Sequence, residues 1–148
     1  MKRLSYFLVL ALLAAIAGCG GSNNTPSNVG LFGNWNVVMY ANGGTAPVYV
    51  FALAMSQLGG SNYSGSSITY NGSVGIPSNM CINGNTLAAT ATTSGSNFTM
   101  TVTDRTTNTV ITVQGSLATQ TTTLSGTYNN LATSACTAST GTVTMTPQ

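Results

Sequence analysis

Three cysteines, at 19, 81 and 136, are the residues best able to form covalent bonds in this chain, and few other reactive groups accompany them. The 148 residues contain one acid, Asp104, three bases, Lys2, Arg3 and Arg105, and no His. General acid–base catalysis draws on His or on paired carboxylates. A lone Asp therefore excludes a glycosidase pair and an aspartyl dyad. The lack of His excludes Ser-His-Asp and Cys-His nucleophiles. Neither Gly-x-x-x-x-Gly-Lys-Ser/Thr nor Gly-x-Gly-x-x-Gly occurs, so no phosphate-cradling loop is expected. Two separated Cys without His also fall short of a zinc ligand set. The expectation is a protein that is not an enzyme, with no cofactor and no metal. Asp104-Arg105 reads as a turn between two strands, with both side chains solvated.

Cys19 has a distinctive setting. Lys2 and Arg3 precede an apolar stretch over 6–16, which ends in Ile16-Ala17-Gly18-Cys19-Gly20. A positive start and a short apolar run are the marks of a signal peptide. The run is shorter than the roughly 20 apolar residues that a bilayer span needs. A plain signal peptide cut after a small residue is the alternative. Ile-Ala-Gly-Cys at the end of the run resembles the lipobox of uncharacterised bacterial lipoproteins. The resemblance implies a diacylglycerol thioether on Cys19, cleavage just before it, and acylation of the new amine with a palmitate-like chain. Each buried methylene contributes about 0.8 kcal/mol and a single chain binds only reversibly, so two or three chains make a lasting anchor. The resemblance further implies a cell-envelope location and a membrane partner reached through the N-terminal lipid. In that family Asp after the Cys retains the protein at the inner membrane. Gly20 there points to the outer membrane.

Residues 20–28 carry Gly, Ser, Asn, Thr and Pro without an apolar side chain, the composition of a flexible tether. The organisation expected is a signal peptide over 1–18, a lipidated Cys and tether over 19–29, and a single all-β domain over 30–148. Beyond residue 18 the charged side chains are Asp104 and Arg105 alone. Nucleic-acid binding, which needs several Lys/Arg contacts to phosphate, is excluded, as is a polybasic contact with anionic lipid.

With Cys19 lipidated, Cys81 and Cys136 are left, and an exported chain meets an oxidising compartment. A Cys81–Cys136 disulfide is expected, with two inert buried thiols as the alternative. It would span 55 residues, a closure the chain-entropy treatment values at about 4 kcal/mol.

Short runs of Val, Ile, Thr, Phe and Tyr alternate with Asn-Gly, Gly-Gly and Ser-Gly turns, a pattern of strands and hairpins. Strands are expected over 33–40, 48–57, 62–70, 73–76, 86–93, 98–104, 109–117, 122–128 and 141–146. The fold class is an all-β antiparallel meander of eight or nine strands, closed into a small barrel, with a signal helix ahead of it. Gly33-Asn34-Trp35 resembles the Gly-x-Trp signature of lipocalin- and avidin-like barrels, which implies that Trp35 plugs one end. Lipocalins pair that Trp with a late Arg, and no Arg follows Arg105 here.

Two functions from different classes fit. The first is a lipid-anchored envelope protein with a structural or interaction role, toward a partner such as another envelope protein. The alternative is a carrier of a small apolar ligand, its cavity lined by Trp35, Phe51, Leu53, Met55, Phe98, Met100 and Val102. A third, an adhesin-like module, would need several of Tyr40, Tyr49, Tyr63, Tyr70 and Tyr128 on one outward patch.

Overall fold

The computed structural model describes residues 30–78, 80–117, 123–134 and 136–148; the expected signal peptide, Cys19 and the tether lie outside them. Eight strands follow one another: β1 (Gly33–Ala41), β2 (Pro47–Gly59), β3 (Asn62–Ile68), β4 (Leu87–Ser94), β5 (Asn97–Asp104), β6 (Val110–Ser116), β7 (Leu124–Asn130) and β8 (Ser139–Pro147). Each pairs antiparallel with the next, and β1 pairs antiparallel with β8 to close the barrel. The expected all-β closed meander is the fold observed.

The alternation that predicts the strands also sorts their faces. Along β5, Phe98, Met100, Val102 and Asp104 are buried while Asn97 and Thr99 are exposed. Thr, Ser and Asn supply the outer face, since β-branched Thr suits a pleated surface without adding charge. Inward residues of all eight strands merge into one core with Phe51, Leu53, Met39, Met100, Ile111, Leu124 and Met145 fully buried. Two glycines meet where Gly115 of β6 pairs with Gly126 of β7. A methyl on Gly126 would strike the Gln114 carbonyl, and one on Gly115 would lie 2.6 Å from the Phe98 ring. Only glycine lets these two strands and that ring share the space.

Eight strands form, not nine. Residues 73–76 are not a strand, and the strand expected over 62–70 stops at Ile68. Geometry gives the reason. An up-and-down sheet closes antiparallel only with an even number of strands, because a ninth would run parallel to the first. The chain between Ile68 and Leu87 instead crosses the outer face of β2, β1 and β8. There the Asn36 amide donates to Asn71 Oδ1 at 2.9 Å, and the Gln148 amide donates to Asn36 Oδ1 at 2.8 Å. This cover explains why Asn36 is buried although it points out of the barrel.

The two ends of the barrel differ. At the N-terminal end, Leu31 is fully buried beneath the core, and the Trp35 indole Nε1 donates to the Leu31 carbonyl at 2.9 Å. Tight turns at Gly59-Gly60 and Gly95 lie at that end. The far end carries the longer connections 69–86 and 131–138, and Ile82 of the first drops into the core.

Candidate functional site

The far end gathers most of the buried polar side chains. Cys81 and Cys136 are joined there as a disulfide, with Cα atoms 5.4 Å apart, tying connection 69–86 to connection 131–138. Tyr49 enters from β2 because the alternation that buries Phe51 and Leu53 also turns residue 49 inward. Its hydroxyl accepts from the Asn130 amide at 2.9 Å and lies 3.3 Å from Ser139 Oγ and 3.4 Å from Cys81 Sγ. A disulfide sulfur has no proton, so toward Cys81 the Tyr49 hydroxyl is the donor. Thr109 Oγ1 likewise donates to Cys136 Sγ at 3.4 Å. The Asn130 amide also donates to the Thr137 carbonyl at 3.1 Å.

Tyr128 completes the cluster. Its ring meets that of Tyr49 edge to face, with centroids 5.8 Å apart, an arrangement that suits the ring quadrupoles. Burial pushes the Tyr128 phenol above its ordinary value; the Ser139 hydroxyl opposes this and the Tyr49 ring adds to it. Among the described residues, the Tyr128 hydroxyl and Asn130 Oδ1 are buried with no partner that meets hydrogen-bond geometry. One can donate and the other can only accept.

A groove of about 590 Å³, open to solvent, runs along the outside of this cluster, lined by Pro47, Val48, Tyr49, Ile76, Cys81 and Ser139. A second groove of about 490 Å³ lies on the other side of Ile76, against Val50, Tyr70, Met80 and Asn83. Both exist because β3 begins its pairing with β2 at Ala52↔Ile68, which leaves β2 from Pro47 to Phe51 with β1 as its sole strand partner. Connection 69–86 covers the open edge, and the Val50 amide donates to Met80 Sδ at 3.5 Å. The groups lining the grooves can exchange hydrogen bonds and make apolar contact. Tyr128, with its raised pKa, stays protonated at neutral pH.

Asp104 departs from the sequence expectation. It is 1% exposed rather than solvated, whereas Arg105 is exposed. Asp104 ends β5 on its inward face, and four donors converge on its carboxylate. Oδ1 accepts from Thr86 Oγ1 at 2.8 Å, from the Thr106 amide at 2.7 Å and from the Thr107 amide at 3.4 Å. Oδ2 accepts from the Asn83 amide. Burial raises the carboxyl pKa, but these donors together outweigh it and hold the group below its ordinary value. The side chain therefore pins connection 69–86 to the β5–β6 turn.

Trp35, Phe51, Leu53, Met55, Phe98, Met100 and Val102 all belong to one buried cluster, each at most 2% exposed. Tyr49, Tyr63 and Tyr128 are buried and Tyr40 and Tyr70 half-buried, which removes the outward tyrosine patch an adhesin-like module needs. Cys19 lies outside the described residues. Among the described residues no three His, Cys, Asp or Glu assemble as metal ligands. The Tyr49–Tyr128–Asn130–Ser139 cluster is not expected from sequence, since Asn130 and Ser139 fall outside the strands expected over 122–128 and 141–146. The role of Asp104 did leave a signal: an Asp at a strand-to-turn junction can accept from the backbone N–H groups two and three residues ahead of it. Compared with protein-family models, curated proteins and solved structures, the chain matches none of them.

Proposed function

We propose that this protein is a lipid-anchored cell-envelope lipoprotein whose barrel serves a non-catalytic structural or interaction role, held by Cys19 at a membrane, the outer one by the Gly20 criterion. The observation that carries the reading is Ile16-Ala17-Gly18-Cys19 at the end of a short apolar run headed by Lys2-Arg3. The disulfide agrees with an oxidising compartment. The non-catalytic part draws support from how the reactive groups are used. Asp104 is occupied by four donors from its own chain, and Tyr49 is engaged by Asn130 and Ser139. The carrier of a small apolar ligand is the second reading. The fully buried Leu53 and Met100 favour a filled interior over it, since eight-stranded barrels are just wide enough for side chains to fill.

Mass analysis of the protein from its host cell tests the proposal. The expected species starts at Cys19 and carries diacylglycerol plus an amide-linked acyl chain, and Cys19→Ala abolishes both cleavage and lipid. A free thiol at residue 19, or retention of residues 1–18, overturns it. An apolar small molecule co-purifying with the intact protein in native mass spectrometry selects the carrier reading instead.

A further inference from the structure

Phe32 and Leu58 are 71% and 70% exposed, and both stand at the N-terminal end of the barrel. Phe32 immediately precedes β1, and Leu58 lies where β2 runs past its last pairing with β1, Met55↔Gly33. The neighbouring turn residues Gln57, Gly60, Ser61 and Ser96 are neutral. Both charged side chains among the described residues, Asp104 and Arg105, belong to the opposite end, Asp104 standing seven residues, or about 24 Å along the strand, up β5 from Asn97. An aromatic and an aliphatic side chain are thus exposed at an end without side-chain charge, while the exposed Leu131 and Ile76 share the other end with the charges and the disulfide.

The chain outside the described domain leaves from this same end. From Cys19 to Gly30 is 30 − 19 = 11 residues. Fully stretched they reach about 39 Å, and a Gly/Ser-type chain of that length spans about 18 Å on average. An acyl anchor at Cys19 therefore keeps the Phe32–Leu58 end, from which the tether leaves, nearer the leaflet on average than the disulfide end. Two apolar side chains bind a membrane weakly from solution. Tethering converts that contact into an intramolecular one at high effective concentration. We infer that the barrel end bearing Phe32 and Leu58 seats in the interfacial layer of a lipid bilayer, which stands the barrel upright with its disulfide-end grooves facing away from the membrane. This inference rests on the lipid-anchor reading. Because no charged side chain faces the lipid, the seat forms on neutral phosphatidylcholine and is insensitive to salt.

Trp35, the sole tryptophan, lies in the core at this end and serves as the reporter. The full lipidated protein is reconstituted into phosphatidylcholine vesicles with plain or brominated acyl chains. Flotation with the vesicles reads the anchor, and quenching of Trp35 emission reads the seat. The expected result is flotation with quenching, retained at high salt. In Phe32→Ser/Leu58→Ser, flotation persists and quenching is lost; both residues are exposed, so the variant folds. In a Trp35→Phe background, Leu58→Trp is quenched and Leu131→Trp, at the far end, is not. Failure to float overturns the anchor and this inference together. Flotation without quenching, or quenching equal in Phe32→Ser/Leu58→Ser, overturns this inference and leaves the anchor standing.

Discussion

Replacing Asp104 by Asn keeps the shape of the side chain and removes its charge, which isolates what the carboxylate does. Oδ1 accepts three bonds and Oδ2 one, so the new side-chain amide settles with its oxygen toward Thr86 and Thr106. Its NH₂ then faces the Asn83 N–H, donor against donor. One charge-assisted bond is lost, about 1.5–3 kcal/mol, and the bonds to Thr86 and Thr106 weaken as their acceptor becomes neutral. Two effects pull the other way. Asn83 lies at the surface, where water can take over its amide, and an uncharged side chain is cheaper to bury. The balance is a loss of about 2 kcal/mol, on the order of 6–10 °C in midpoint for a domain of this size. The pH dependence provides the sharper check. With its folded pKa below 3.8, Asp104 contributes stability that is complete above the unfolded value and is lost as pH falls through the folded one. Equilibrium denaturation of the wild-type protein should therefore weaken below about pH 4, and D104N should be flat there. Hydrogen exchange should show residues 83–86 opening first in D104N. A D104N variant within about 0.5 kcal/mol of wild type, a spread typical of inert surface changes, would refute the reasoning. An unchanged acid limb would do the same.

Reducing Cys81–Cys136, or replacing both by Ala, should cost about 4 kcal/mol for a separation of 55 residues, read as the denaturant midpoint with and without reductant. A change below about 1 kcal/mol would show that connection 69–86 is held without the disulfide. Tyr128, with its pKa raised in the fold, contributes stability that is complete below about pH 10 and lost as pH rises through its folded value, so thermal midpoints should drop on the alkaline side. Tyr128→Phe should blunt that drop. Gly126→Ala sets a methyl against the Gln114 carbonyl and the Gly115 backbone, which cannot swing aside, and should destabilise by at least about 1–3 kcal/mol. A neutral Gly126→Ala would mean that β6 and β7 can part at no cost.

The barrel was legible because each strand is short, alternates cleanly and is bounded by turn residues. β5 shows this well: Asn97 and Thr99 outward, Phe98 and Met100 inward. The disulfide was legible because two Cys admit a single pairing within the domain. What escaped was long-range. That residues 73–76 could not be a ninth strand follows from the parity of closure, which no local window contains. Asn36, outward by alternation, is buried because Asn71 and Gln148 reach it from 35 and 112 residues away. Asp104 read as solvated because a charged residue at a strand end usually is. The donors that bury it include Thr86 and Asn83, 18 and 21 residues earlier. The Tyr49–Asn130 contact joins residues 81 apart in the chain. Alternation predicts that each points inward but not that they meet.

An almost uncharged surface raises a problem that the architecture answers. Sheet edges are commonly protected by lysine and other charges, and the sole Lys of this chain is Lys2, outside the domain. Closing the sheet removes the edges without any charge. At the disulfide end a stretch escapes closure, because β2 extends from Pro47 to Phe51 beyond the reach of β3. The disulfide, the Asp104 network and the contact of Val50 with Met80 all act on the one connection that covers this stretch. Three devices of different chemistry converge on the place where the barrel is most open to pairing with another chain. Their joint effect is to keep that edge closed. The same logic separates the two ends of the molecule. The disulfide and the Asp104 hydrogen bonds both lie at the end where connection 69–86 covers a strand edge, and Phe32 and Leu58 stand at the other.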